Sequence, residues 1–499
     1  MRPLLLVSFV LLVGCPGDGE APATPAAPPP AEPPASCSAC HALPPVDSLP
    51  KGRFVEVIPT MSDMPTPSGV EAPSAEDLAA AVAYYGAHAP EALGTLEPAP
   101  AEERLQFDVQ RYVPRGIKDG GLPSVSFLRF AALSDPEKLD LVLSDMRAQA
   151  LMLLPAWAPP KHRYIRPLVR EVNYPAHVRL TDVDQDGRVD LLVAGLGGLQ
   201  PSNGRQGSAL VLTQNAERKF ERQAVVPQAG RVVDVNAGDF DGDGDLDLTV
   251  CAFGWRGPGQ LLVLERGEQG WTPRELDPRD GWLDAAPLDL DGDGDLDLVS
   301  LLAQEHEQVV AWINRGGLAF EPRVLHAAPH PAWGYSGLTV EDLDGDGDPD
   351  LLVSNGDALD DDLLKPYHGV SWFENQGPGD DGVARFVERR IGALYGCERA
   401  VAGDLDGDGD LDVVATAFLP QLDPARWKGL DSLVWFENTG EGWSKHSLET
   451  GRCYHPAVAV GDYDADGDVD VAVGNWVWVD PKTQKPTVRC EYVTLFMQR

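Results

Sequence analysis

The sequence predicts an all-β fold made by radial repetition, preceded by a small α-helical domain. Three observations carry that prediction. An aspartate-rich loop of one internal spacing begins at Asp182, Asp239, Asp289, Asp342, Asp404 and Asp462, at intervals of 57, 50, 53, 62 and 58 residues. Short apolar runs flank each loop, as strands do. Helix signals are confined to a stretch near the N-terminus. A period of this size denotes a repeated supersecondary unit, and six recurrences are too regular for a scatter of acidic turns.

A representative loop is Asp239-Phe240-Asp241-Gly242-Asp243-Gly244-Asp245-Leu246-Asp247, followed at once by Leu248-Thr249-Val250. Its five carboxylates cannot share a folded loop unless a cation neutralises them. Asp at positions 1, 3 and 5, Gly at 6, a backbone carbonyl at 7 and Asp at 9 supply the oxygen shell that calcium prefers.

The 499 residues include 40 basic and 78 acidic ones, a formal charge of -38. Such a field argues against nucleic acid as a partner. Six bound calcium ions would leave about -26, still strongly acidic.

Residues 1–15 read as an export signal, with Arg2 at the positive end, Leu4 to Val13 as the apolar core, and Leu12-Val13-Gly14-Cys15 closing it. The closing run resembles the lipobox of bacterial lipoproteins, in which Cys15 would be lipidated; a simple cleaved signal is the alternative. The apolar run is too short to span a bilayer as a helix. The expected localisation is therefore export with a lipid anchor in the bacterial envelope, on the periplasmic or surface side of the outer membrane. Residues 16–35 are nearly all Pro, Ala, Gly and acidic residues, and read as an extended tether of up to roughly 60 Å.

Residues 36–96 form the expected helical domain. Cys37-Ser38-Ala39-Cys40-His41 has the spacing that lets two thiols bind the haem vinyl groups while the adjacent histidine ligates iron. The domain is thus expected to be cytochrome c-like, with covalent haem c at Cys37, Cys40 and His41. Met61 is the preferred sixth ligand and Met64 the alternative. Residues 49–58 are expected to form one helix, and Ser74, with Asp77 three residues on, to cap a second. A core of about sixty residues is marginal alone, so the macrocycle is expected to fill much of it.

The remainder, 104–498, is expected to be a seven-bladed β-propeller. In the fifth blade, Gly337 to Asp342, Leu351 to Val353, Gly369 to Glu374 and Arg385 to Arg389 read as four strands. Residues 125–152 fit the same frame with Ala132, Ser134 and Pro136 at the ligand positions, a blade whose metal site is lost. The last blade lacks an outer strand after Tyr492 to Met497, and residues 104–113 alternate well enough to supply it.

These repeats resemble the FG-GAP/VCBS repeats of integrin-type calcium-binding propellers, over roughly 130–498. Together with the haem motif and Leu49-Pro50-Lys51, the chain resembles bacterial FG-GAP/VCBS lipoproteins with a cytochrome c-like segment, as found in planctomycetes and related bacteria. The resemblance implies calcium ligands at Asp182, Asp184, Asp186 and Asp190; Asp239, Asp241, Asp243 and Asp247; and Asp289, Asp291, Asp293 and Asp297. It implies three further sets at Asp342, Asp344, Asp346 and Asp350; Asp404, Asp406, Asp408 and Asp412; and Asp462, Asp464, Asp466 and Asp470. The first loop departs from the glycine-rich pattern at Gln185 and Arg188, and the positive charge of Arg188 makes its site the weakest expected.

Alternating connections place the calcium loops on one face of the ring. His177, His330, Trp333, Tyr335, Cys397, Tyr454, His455 and the insertion Asn355 to His368 are expected on the other. Long loops on a rigid scaffold are where binding sites collect. This face is expected to meet the haem domain, a redox partner protein or an extracellular polymer. Export favours disulfides among Cys251, Cys397, Cys453 and Cys490, with Cys453–Cys490 the preferred pair. Three functions follow: an envelope-anchored cytochrome transferring electrons with the propeller as docking platform, an adhesive or scaffolding protein with structural or sensory haem, and a propeller dehydrogenase or polysaccharide-active enzyme. No nucleophile–base motif supports the enzyme, and no catalytic residue is assigned.

Overall fold

The runs that follow the aspartate loops are buried along their whole length, as strands covered on both faces must be. Asp190–Gly195, Asp247–Ala252, Asp297–Leu302, Asp350–Asn355 and Asp412–Ala417 each have every residue buried. They are the second strands of four-stranded antiparallel sheets, of which there are seven. Outer strands such as Gly270–Asp277 are largely exposed. Radial packing of the sheets buries the inner strands between neighbouring blades and leaves only short edges open. The computed structural model describes residues 30–39, 41–63, 70–115, 121–135, 137–156, 158, 162–480, 483 and 485–499. The expected export signal with Cys15, most of the tether, Cys40, Met64 and Pro136 lie outside the described residues.

Blade 1 comprises Val125–Asp135, Lys138–Asp145, Ala150–Leu154 and Arg166–Arg170. Its first two strands pair as far as Asp135 and Lys138, so a tight turn stands where the other blades carry a nine-residue loop. Blade 7 takes Ala457–Gly461, Asp470–Gly474 and Val493–Gln498 from the C-terminus. Its outer strand is Phe107–Tyr112, in register from Phe107 opposite Gln498 to Tyr112 opposite Val493. The ring therefore closes by pairing strands from the two ends of the chain.

The N-terminal segment holds two α-helices, Lys51–Val57 and Ala75–His88. Pro50 precedes the first, where its fixed φ suits a helix start. Ser74 caps the second by accepting the Asp77 amide at 3.1 Å. Phe54, Ile58, Leu78, Ala81 and Tyr85 form its core. Among the described residues no helix is long and apolar enough to cross a membrane.

This helical segment is fastened to the ring. The Tyr367 hydroxyl, in the blade 5 insertion, donates to the Ser48 carbonyl at 3.1 Å, and Arg53 donates to the Asp360 carbonyl at 3.4 Å. The connecting chain then runs along blade 6. The Ala99 amide donates to the Asp431 carboxylate at 3.1 Å, Ser447 donates to the Pro100 carbonyl at 2.8 Å, and Arg104 pairs with Glu437 at 2.8 Å.

Candidate functional site

Each aspartate loop is shaped by its own backbone amides. In the third blade Asp239 accepts Gly242 through one oxygen and Gly244 through the other, at 2.8 and 3.0 Å. Gly244 has φ of 94° and Gly242 of 75°, a region that glycine enters freely. The equivalent of Gly242 is Gln185 in blade 2 and Ala465 in blade 7, at φ of 58° and 62°. Those two loops keep the same path with strained residues.

The carboxylates that converge are those at positions 1, 3 and 9. Asp182, Asp184 and Asp190 bring ligand oxygens within 4.8 Å of one another, as do Asp239, Asp241 and Asp247, then Asp289, Asp291 and Asp297, and Asp342, Asp344 and Asp350. Position 5 stands beside these groups of three. Each position-5 carboxylate accepts the amide two residues on, as Asp243 does from Asp245 at 3.0 Å and Asp293 from Asp295 at 2.9 Å. Asp346, Asp408 and Asp466 do the same.

Position 9 has a second task. Asp297 accepts the Leu290 amide at 2.7 Å and, through its other oxygen, the Asn314 amide at 2.6 Å, which ties the loop to the third strand. The same clamp recurs at Asp190, Asp247, Asp350, Asp412 and Asp470. Burial pushes the carboxyls of Asp247, Asp412 and Asp470 up to about 6. Blade 1 keeps the clamp without the ligands: Asp140 accepts Ser134 at 2.8 Å and Ala156 at 3.2 Å.

The loops fit a hard cation. Buried oxygens of Asp245, Asp291, Asp342 and Asp406 have no hydrogen-bond partner, a costly arrangement for carboxylates unless a cation takes them. All-oxygen donors on a flexible loop match calcium. The first loop differs: Arg188 pairs with Asp186 and is held there by a 2.6 Å bond from its Nε to the Gln214 carbonyl.

A second charged cluster lines the central channel and was not anticipated. His177, Asp234 and Asp284 come together there, with His177 Nδ1 2.5 Å from Asp234. The Arg179 guanidinium bridges Asp234 and Asp284 at 3.2 and 2.7 Å, so it fills the place a metal would take. Arg399 reaches Asp284 from two blades away, at 3.7 Å, passing Gly337, where a Cβ would overlap its guanidinium. Burial beside Arg179 holds the His177 imidazole down at about 4, hence neutral. The sequence did carry a signal. His177, Asp234, Asp284, Gly337 and Arg399 each lie five residues before the first Asp of their loop.

On the opposite side, Tyr335 and Cys397 open the inner strands of blades 5 and 6. His330, Trp333 and Tyr367 pack as one aromatic group, Trp333 and Tyr367 stacked at 5.5 Å. His368 is fully buried, and Lys365 pairs with Asp361 at 3.2 Å. His455 is bonded to Asn475 and Glu449 at 2.7 and 2.8 Å, a structural role, and Tyr454 packs against it. Cys37, Cys251, Cys397, Cys453 and Cys490 are free thiols, so the expected Cys453–Cys490 pair is absent. The Cys453 thiol instead faces the Asp431 carbonyl at 3.7 Å.

In the helical segment, Cys37 and Met61 pack on the same apolar cluster, and His41 Nδ1 lies 2.8 Å from the Ala42 carbonyl. Thiol, thioether and imidazole are a donor set that suits haem. Phe54 and Tyr85 stack at 4.1 Å within that cluster.

Residues 182–250 and 289–353 match the family described as FG-GAP-like repeat. No curated protein matches the chain. The matched stretches begin at the first aspartate of a loop and include the buried strand after it; the chain carries FG-GAP-like repeats, folded as a seven-bladed β-propeller.

Proposed function

We propose that the protein is a binding platform: a propeller whose blades 2 to 7 are pinned by calcium, exported and lipid-anchored through Cys15, with the helical segment seated on its loop face. The observation that carries the reading is the repeated convergence of carboxylates at positions 1, 3 and 9, with partnerless buried oxygens in four of the loops. The calcium ligands would be these aspartates, with position 5 contributing its remaining oxygen. A cation there neutralises the loop and joins the first strand of a blade to its second. Thermal unfolding tests it: calcium should raise the midpoint and a chelator lower it, and a midpoint indifferent to both would contradict the reading.

A second reading, electron transfer at the envelope, is favoured by the placing of Cys37 and Met61 on one cluster. Haem c there would supply a one-electron couple. Cys37 and Cys40 would hold it covalently, and His41 and Met61 would ligate the iron. The seating of Ser48 and Arg53 on the blade 5 insertion then fixes the haem segment against the ring, which offers a docking surface to a redox partner or polymer. An absorption spectrum and reduction potential of the exported protein decide it; a protein without covalent haem would reject it.

A further inference from the structure

We propose that the cavity between blades 1 and 2, on the calcium-loop side, binds a small carboxylate, held between the Arg129 guanidinium and a cation in the Asp182 loop. The inference rests on the calcium reading and names a ligand for one of its sites. The cavity measures about 280 Å³, and its walls include Arg129, Phe130, Leu133, Leu180, Thr181 and Asp182. It opens where the tight turn of blade 1 meets the first aspartate loop of blade 2. Its size is close to the lower end for small-molecule pockets and suits an acid no larger than a hexuronate.

In a chain of net charge -38, the exposed Arg129 side chain makes no hydrogen bond or close ion pair among the described residues. Its neighbours are Arg179, which repels it, and Glu341, which acts only at a distance. A guanidinium in a concave wall whose one opposite charge, Glu341, stands beyond ion-pair distance can recognise a planar carboxylate through two parallel hydrogen bonds.

Arg188 engages the Asp186 carboxylate, whereas the position-5 carboxylates of the other five loops meet no cationic side chain among the described residues. A cation held by Asp182, Asp184 and Asp190 therefore has fewer protein oxygens here than elsewhere. Calcium takes six to eight oxygens, so a ligand carboxylate can complete the shell. Asp182 and Arg129 line the same cavity, so one small acid can meet both charges. A neutral sugar of the same shape would leave the guanidinium unpaired.

Calorimetry on the full chain tests this in two steps, calcium first and then D-galacturonate, with D-galactose as the neutral control. Galacturonate should bind only the calcium-loaded protein, and galactose should not bind. Arg129→Gln should weaken galacturonate roughly ten-fold or more, as loss of a charged contact does, at an unchanged unfolding temperature. Arg188→Gln frees Asp186, so it should tighten one calcium site and weaken galacturonate. Calcium binding without galacturonate binding, equal affinity of Arg129→Gln, or equal binding of galactose would overturn the inference alone. Absence of calcium binding in the first step would instead remove the metal reading beneath it.

Discussion

In blade 1 the Asp140 carboxylate ties Ser134 to Ala156 across a tight turn; in blade 4 Asp297 ties Leu290 to Asn314 beneath a loop of exposed carboxylates. The two clamps are alike, and only one stands in an aspartate loop. The difference separates two tasks that the repeat motif fuses. The ninth-position aspartate satisfies buried amides whether or not a cation is near, while the other carboxylates have no reason to gather without one.

Mutation of the two clamps should break the comparison most visibly. Asp140→Ala and Asp297→Ala each strand two backbone amides, at a cost of roughly 2–6 kcal/mol. The Asp140→Ala loss should be equal with calcium and with chelator in denaturant unfolding. The Asp297→Ala loss should be larger in calcium, because one site goes with the clamp. Calcium dependence is the next effect. At free calcium a hundred times Kd, each site stabilises the fold by about 2.7 kcal/mol, and Asp239→Ala should remove one such contribution while blade 1 substitutions remove none.

Proton linkage sharpens the same contrast. Burial raises Asp247, Asp412 and Asp470 to about 6, above the ordinary carboxylate value. A folded pKa above the unfolded one gives stability that is full at low pH and lost as pH rises through about 6. The metal-free protein should therefore unfold more easily at pH 7 than at pH 5. Calcium should reverse the trend, since it binds the ionised form; unfolding midpoints at the two pH values, with and without chelator, check it. The smallest effect belongs to the strained fourth position. Ala465→Gly relieves a left-handed residue and should stabilise by about 1 kcal/mol, measured in chelator; Gln185→Gly should gain less, because it also gives up the 2.8 Å bond from Gln185 to the Gly244 carbonyl.

The ring was legible because its signal is periodic. Loops at a near-constant interval, each followed by a run such as Leu248-Thr249-Val250, give blades, and the same frame placed blade 1 through Asp140-Leu141-Val142-Leu143 although its ligands are gone. The strand expected within 104–113 pairs with the C-terminal strand of the chain, as the missing edge of blade 7 required. The channel cluster escaped because Asp234 and Arg179 are 55 residues apart and meet only when neighbouring blades pack.

If calcium pins six of the seven blades, one of them less firmly, calcium titration of the purified, chelator-treated chain by calorimetry should show it. Five strong sites are expected, with a sixth, weaker one that strengthens in Arg188→Gln. A chain that binds no calcium, or in which Arg188→Gln leaves every site unchanged, would contradict it.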